Sequence, residues 1–170
     1  SYDIPHQICG WARSQTTQSH REATKPPPPD RCPPLPENFA QPDRMPEALL
    51  IEKEIGANIA YPTADWTPDD WRQYLWAYRM FTEDLDGYVG QLTQAVVDSP
   101  QTDNTIIVFV SDHGDGAAAH HWNQKTALWE ECIRVPFIIR VPDGVKGVVD
   151  EHPVSSGIDL IPTLLDLACL

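Results

Sequence analysis

The sequence contains no apolar run long enough to cross a bilayer. Its longest unbroken apolar stretch, Ile106 to Val110, is far short of the about 20 residues a spanning helix needs. Positive charge is also scarce: 12 Lys and Arg stand against 25 Asp and Glu, for a net charge of -13. Such a balance repels nucleic-acid backbones and anionic lipid surfaces unless a basic patch overcomes it, and no basic run exists. The reading is therefore no nucleic-acid partner and no membrane span. Cysteine is limited to Cys9, Cys32, Cys132 and Cys169, with no C-x-x-C spacing, which argues against a zinc cluster and against a disulfide scaffold. The first residues show no charged-then-apolar leader, so composition leaves the compartment open.

Proline is abundant, with 17 in 170 residues. Pro26 to Pro29, Pro33, Pro34, Pro36, Pro42 and Pro46 fix φ and remove backbone donors, so an irregular surface excursion is expected over residues 25–66. The length suits a single domain spanning 1–170.

After the excursion the pattern becomes regular. Thr67-Pro68-Asp69-Asp70 supplies an N-cap, a first-turn proline and two carboxylates at the positive helix end. Trp71, Leu75, Tyr78, Phe81, Leu85, Val89, Leu92 and Val96 follow at steps of three or four and predict the inward face of a long helix. Ser99-Pro100 ends it. The β-branched and aromatic run Thr105 to Val110 predicts a strand buried on both faces, in a parallel sheet. A helical turn over 126–132, a short strand over 136–141 and an amphipathic helix over 159–168 complete an α/β order.

Polar groups that directly follow a buried parallel strand emerge where open α/β sheets bind ligands, which places Asp112 and His113 at a functional position. A carboxylate beside an imidazole can coordinate a divalent cation, although imidazole alone favours transition metals over calcium. An Asx-type turn that merely closes the strand is the competing reading.

The residues downstream weigh toward the first. Asp112-His113-Gly114-Asp115, then His120, Trp122, Lys125 and Glu130-Glu131, ending in Arg134-Val135-Pro136-Phe137-Ile138-Ile139, resemble the carboxyl-terminal metal-and-sulfate motif of the type I sulfatases. Ile4-Pro5-His6 is similar to that family's Pro-His motif, and Asp159 to Ala168 resembles its Asp-x-x-Pro-Thr-Leu-Leu helix. The resemblance implies a partial alkaline-phosphatase-like fold, with a mostly parallel sheet flanked by helices. It implies Ca2+ bound by Asp112 and His113, sulfate contacted by Lys125 and His120, and His6 as the acid that protonates the leaving oxygen. Of the adjacent His120 and His121, the second is expected to face solvent. The implied substrate is a sulfated small molecule or glycan, and a periplasmic or secreted location would suit the family.

The sequence departs from the family in two respects. Type I sulfatases carry a Cys-x-Pro-Ser-Arg type motif, whose cysteine or serine becomes formylglycine, and an amino-terminal Asp-Asp pair; neither is here. Cys9-Gly10-Trp11-Ala12-Arg13 lacks the proline, and Cys32-Pro33-Pro34-Leu35-Pro36 lacks the arginine. The expectation is an internal segment of a catalytic domain, inactive alone, with formylglycine and further metal ligands lying outside it and with unpaired sheet edges that favour self-association. The alternatives are a metal-dependent phosphoesterase of the same superfold or a truncated, non-catalytic module.

Overall fold

The computed structural model describes residues 27–55, 63–123 and 125–170. They divide into two compact units: the residues up to Tyr88 with His113–Arg134, and Val89–Asp112 with Val135–Leu170.

In the first unit the proline-rich segment opens with a single 3-10 turn, Pro29–Arg31, and then runs irregularly. The excursion predicted over 25–66 is nevertheless interrupted by a helix, α1, Glu47–Ile55. Pro46 explains the placement: its carbonyl accepts the amides of Leu49 and Leu50 at 3.0 and 3.2 Å, and no proline follows within the strong helix formers EALLIEKEI.

Helix α2, Pro68–Val97, starts where the sequence places it. The Asp70 amide donates to Thr67 Oγ1 at 3.2 Å while the Thr67 amide donates to Asp70 Oδ2 at 2.7 Å, a reciprocal capping box with aspartate as the acid. The buried face is turned from the predicted one: Trp71, Tyr74 and Ala77 are inside, whereas Leu75, Tyr78 and Phe81 pack at the margin. The reason is aromatic packing. Trp66 lies edge-on to Trp71 at 4.7 Å and within 5.8 Å of Tyr74, so the chain entering the helix selects the face that closes on itself. Each of these large side chains contributes roughly 1.5–3 kcal/mol by leaving water.

In the second unit, β1, Ile107–Val110, pairs with β2, Phe137–Arg140, in the register Ile107 to Arg140 and Val110 to Phe137. The pairing is antiparallel, whereas a parallel neighbour was predicted for β1. Antiparallel strands at the margin of otherwise parallel sheets are common in α/β folds. Within the first unit, the turn predicted over 126–132 contracts to α3, Glu130–Ile133; the second unit ends in α4, Leu160–Leu167, as predicted.

Candidate functional site

The segment that follows β1 is shaped by two glycines and an aspartate. The Gly114 amide donates to the Cys132 carbonyl at 2.7 Å, and a Cβ at Gly114 would lie 1.9 Å from the Glu131 carbonyl oxygen. A Cβ at Gly116 would lie 2.6 Å from the Trp122 carbonyl oxygen. Between them, Asp115 Oδ1 accepts the Ala117 amide at 2.7 Å and the Tyr74 hydroxyl, fastening the loop to α2.

The next turn has left-handed backbone at Ala117, Ala118, His120 and His121, with φ of 45°, 68°, 56° and 54°. Such φ values cost roughly 1–2 kcal/mol per non-glycine residue and persist only where the surroundings impose them. Here the proline-rich segment does so. The amides of His120 and His121 donate to the carbonyls of Asn38 and Phe39 at 2.8 and 3.1 Å, and Asn38 Nδ2 donates to Glu131 Oε1 at 2.7 Å.

The two histidines differ in surroundings. The His120 ring lies 4.4 Å from that of Trp129. The His121 ring lies 4.1 Å from Phe39 and is stacked on Trp71 at 6.1 Å, so it does not simply face solvent as expected. Burial, and secondarily the Lys53 ammonium, hold His121 below the ordinary imidazole pKa.

Lys125 and His113 are brought into contact, Nζ to Nε2, at 2.9 Å. His113 Nδ1 lies 2.8 Å from the Gly114 carbonyl, which can only accept. That contact fixes the proton on Nδ1 and leaves Nε2 as the acceptor of the ammonium. The Lys125 main chain is itself held, since buried Trp122 donates from Nε1 to its carbonyl at 3.0 Å. The arrangement is an oriented, half-buried ammonium with donors to spare for an anion.

Asp112 is exposed and is the last residue of its stretch of the second unit, while His113 opens the first unit's segment. Calcium takes six to eight oxygen ligands. Among the described residues no group of three His, Cys, Asp or Glu side chains is arranged to hold a metal ion. The described donors therefore do not by themselves make a cation site. His6 lies outside the described residues.

Neither buried thiol is poised as a nucleophile. Burial, reinforced by Asp115 and Glu131, pushes Cys132 up to about 12, and burial also raises Cys32. No described helix is long and apolar enough to cross a membrane.

A sulfatase family profile matches residues 14–170. The chain belongs to the sulfatase family. The chain is 31% identical to a Δ4,5-hexuronate-2-O-sulfatase of Bacteroides thetaiotaomicron, over 98% of its own length and 35% of that relative. A solved structure described as a 2-O GAG sulfatase superposes with a TM-score of 0.77 at 28% identity, covering 98% of the chain and 36% of the other. The alkaline-phosphatase-like fold expected from the resemblance is thereby established for this segment. A phosphonate monoester hydrolase from Silicibacter pomeroyi shares that fold, with a TM-score of 0.63 at 23% identity over 83% of the chain and 29% of the hydrolase. The chain thus spans about a third of the length of the curated sulfatase over which it aligns end to end.

Several residues that build the site were not among the sequence candidates. Asp115 carries a signal that sequence can offer, an Asx residue two positions before the amide it accepts. Glu131 stands in the motif quoted above, although its contact with Asn38 is not legible there; Tyr74, Asn38 and Lys53 carry no signal, because their partners are distant in sequence.

Proposed function

We propose that the protein carrying this chain hydrolyses sulfate esters of a sulfated carbohydrate, with a 2-O-sulfated hexuronate as the first substrate to examine. The observation that carries the reading is the Lys125 ammonium held at 2.9 Å by His113, inside the Asp112 to Ile139 motif of a sulfatase-family chain. The near full-length alignment with a hexuronate-2-O-sulfatase supports the substrate class.

Lys125 and His120 bind the sulfate oxygens. Breaking the S–O bond shifts negative charge onto the leaving oxygen and redistributes it over the sulfate, and an ammonium already oriented stabilises that charge without reorganising. A sugar alkoxide is a poor leaving group, so His6 supplies its proton as general acid. Asp112 would offer its carboxylate to a calcium ion, whose remaining ligands lie outside the described residues; His113 would join them through Nε2 only where Lys125 leaves that nitrogen for the sulfate. When bound, such an ion supplies a fixed positive charge beside the sulfate. The formylglycine nucleophile also comes from outside this sequence, which has no Cys-x-Pro-x-Arg motif.

The test uses the full-length protein on an aryl sulfate, a 2-O-sulfated hexuronate and the matching phosphate esters. Sulfate release is expected, and Lys125→Ala should lower kcat/KM by about 10²–10³. Equal turnover by the Lys125 variant and wild type would remove Lys125 from the reaction, and cleavage of phosphate esters alone would replace the sulfatase reading with a phosphoesterase. Calcium is checked separately by the rise in melting temperature on adding the ion after chelation, which Asp112→Asn should diminish.

A further inference from the structure

Lys53, near the end of α1, is a buried cation. The residue is among the least exposed of the charged ones, at 7%. An ammonium has three donors, and removing it from water costs several kcal/mol unless an anion or several acceptors replace the solvent. Among the described residues the one acceptor its Nζ meets is a neutral amide oxygen, Gln41 Oε1. Gln41 itself is exposed, so a ligand oxygen arriving from solvent could take the place of that amide.

The surroundings of Lys53 lead to the site described above. Its charge is felt by His121, whose ring is wedged between Phe39 and Trp71. His121 is joined to His120 in the strained turn, and both amides are anchored on the segment that also supplies Gln41. The same unit therefore holds two separate half-buried or buried ammonium groups, Lys125 and Lys53. Burial lowers the pKa of Lys53, as expected for a cation short of a counter-charge.

We infer that Lys53 is a specificity residue that receives a second anionic group of the sugar, the carboxylate of a hexuronate, with Gln41 holding its place in the absence of ligand. The inference rests on the carbohydrate sulfatase reading above, and it extends that reading from the sulfate to the opposite pole of the substrate. A carboxylate is favoured over a second sulfate because the relative aligned over 98% of the chain is named for a hexuronate.

The test is a binding cycle on the full-length protein with an unsulfated Δ4,5-hexuronate disaccharide, which cannot be hydrolysed as a sulfate ester, and its methyl ester. Calorimetry or ligand-observed NMR should find the wild type preferring the free acid by about tenfold or more, the size expected for a hydrogen bond to a charged group. Lys53→Met should reduce that preference to about twofold or less, and Lys53→Arg should retain it. A wild type that binds acid and ester alike, or not at all, overturns the inference without any variant. A Lys53→Met protein that weakens both ligands equally overturns it too, since that is the pattern of a merely structural lysine. The sulfatase reading fails separately, if the wild type releases no sulfate from any ester, and the acid-to-ester ratio still decides Lys53.

Discussion

His121 occupies a position where its neutral form fits and its charged form does not. Burial is the larger cause and the nearby Lys53 ammonium the smaller, and both lower its pKa in the folded protein. A depressed folded pKa means that the unfolded chain binds the proton more readily. The stabilising effect of the neutral ring is therefore complete above the ordinary value of 6.5 and is lost as pH falls through the lower folded value. His121→Phe keeps an aromatic ring against Phe39 and Trp71 but cannot titrate. Its melting temperature should fall less steeply than that of the wild type between about pH 7 and pH 5. Parallel curves would mean that the ring stays accessible to a proton. Gly114 makes a different demand, since a Cβ there would penetrate the Glu131 carbonyl at 1.9 Å, while a Cβ at Gly87 meets nothing within 4 Å. Gly114→Ala should lower stability by roughly 3 kcal/mol, whereas Gly87→Ala, at an exposed position in α2, should raise it by about 0.5–1 kcal/mol. Thermal unfolding of the two variants beside the wild type checks both signs.

At the scale of the element, α2 begins with local chemistry and is legible for that reason. The Thr67 and Asp70 side chains satisfy two amides reciprocally, three residues apart in sequence. Thr67→Ala should cost about 1 kcal/mol, read as a lower denaturant midpoint with unchanged cooperativity, and Thr67→Ser should restore most of it. Local signals also located β1, β2 and α4, as well as the Asp112 to Lys125 stretch, because capping residues, β-branched runs and turn residues act over a few positions. What the sequence did not disclose depends on distant partners. Trp66 rotates the buried face of α2 onto Tyr74 and Ala77, and β2 meets β1 antiparallel. The carbonyls of Asn38 and Phe39 reach some 80 residues along the chain to hold His120 and His121. The proline-rich segment therefore reads from sequence as an excursion, yet in the structure it frames the candidate site. The pairing of Lys125 with His113 was equally out of reach, since both residues were assigned to ligands and neither to the other.

At the scale of the molecule, the second unit leaves apolar side chains in water. Val145 and Val149 are 87% exposed, Ile158 is 75% exposed, and Ile138 on β2 and Ile161 on α4 are more than half exposed. Scattered apolar residues are ordinary on a surface, but these are numerous within one small unit, and they include a side chain of a strand in a two-stranded sheet. Strand edges present unpaired amides and carbonyls beside such side chains, a combination that templates pairing with another chain. This chain covers 36% of the 2-O GAG sulfatase structure on which it superposes. Residues 1–170 made alone should therefore associate. In sedimentation velocity, species heavier than the 19.1 kDa monomer should grow with concentration. Joint replacement of Ile138 and Ile161 by Glu should shift the distribution toward monomer, because each charge would have to be buried in a contact. The net charge of -13 opposes association at long range, so added salt should strengthen it by screening, whereas an association driven by ion pairs would weaken. A single 19.1 kDa boundary at every concentration and salt level would instead mean that these apolar side chains stay dispersed in solution and that the sheet edge is protected without a partner.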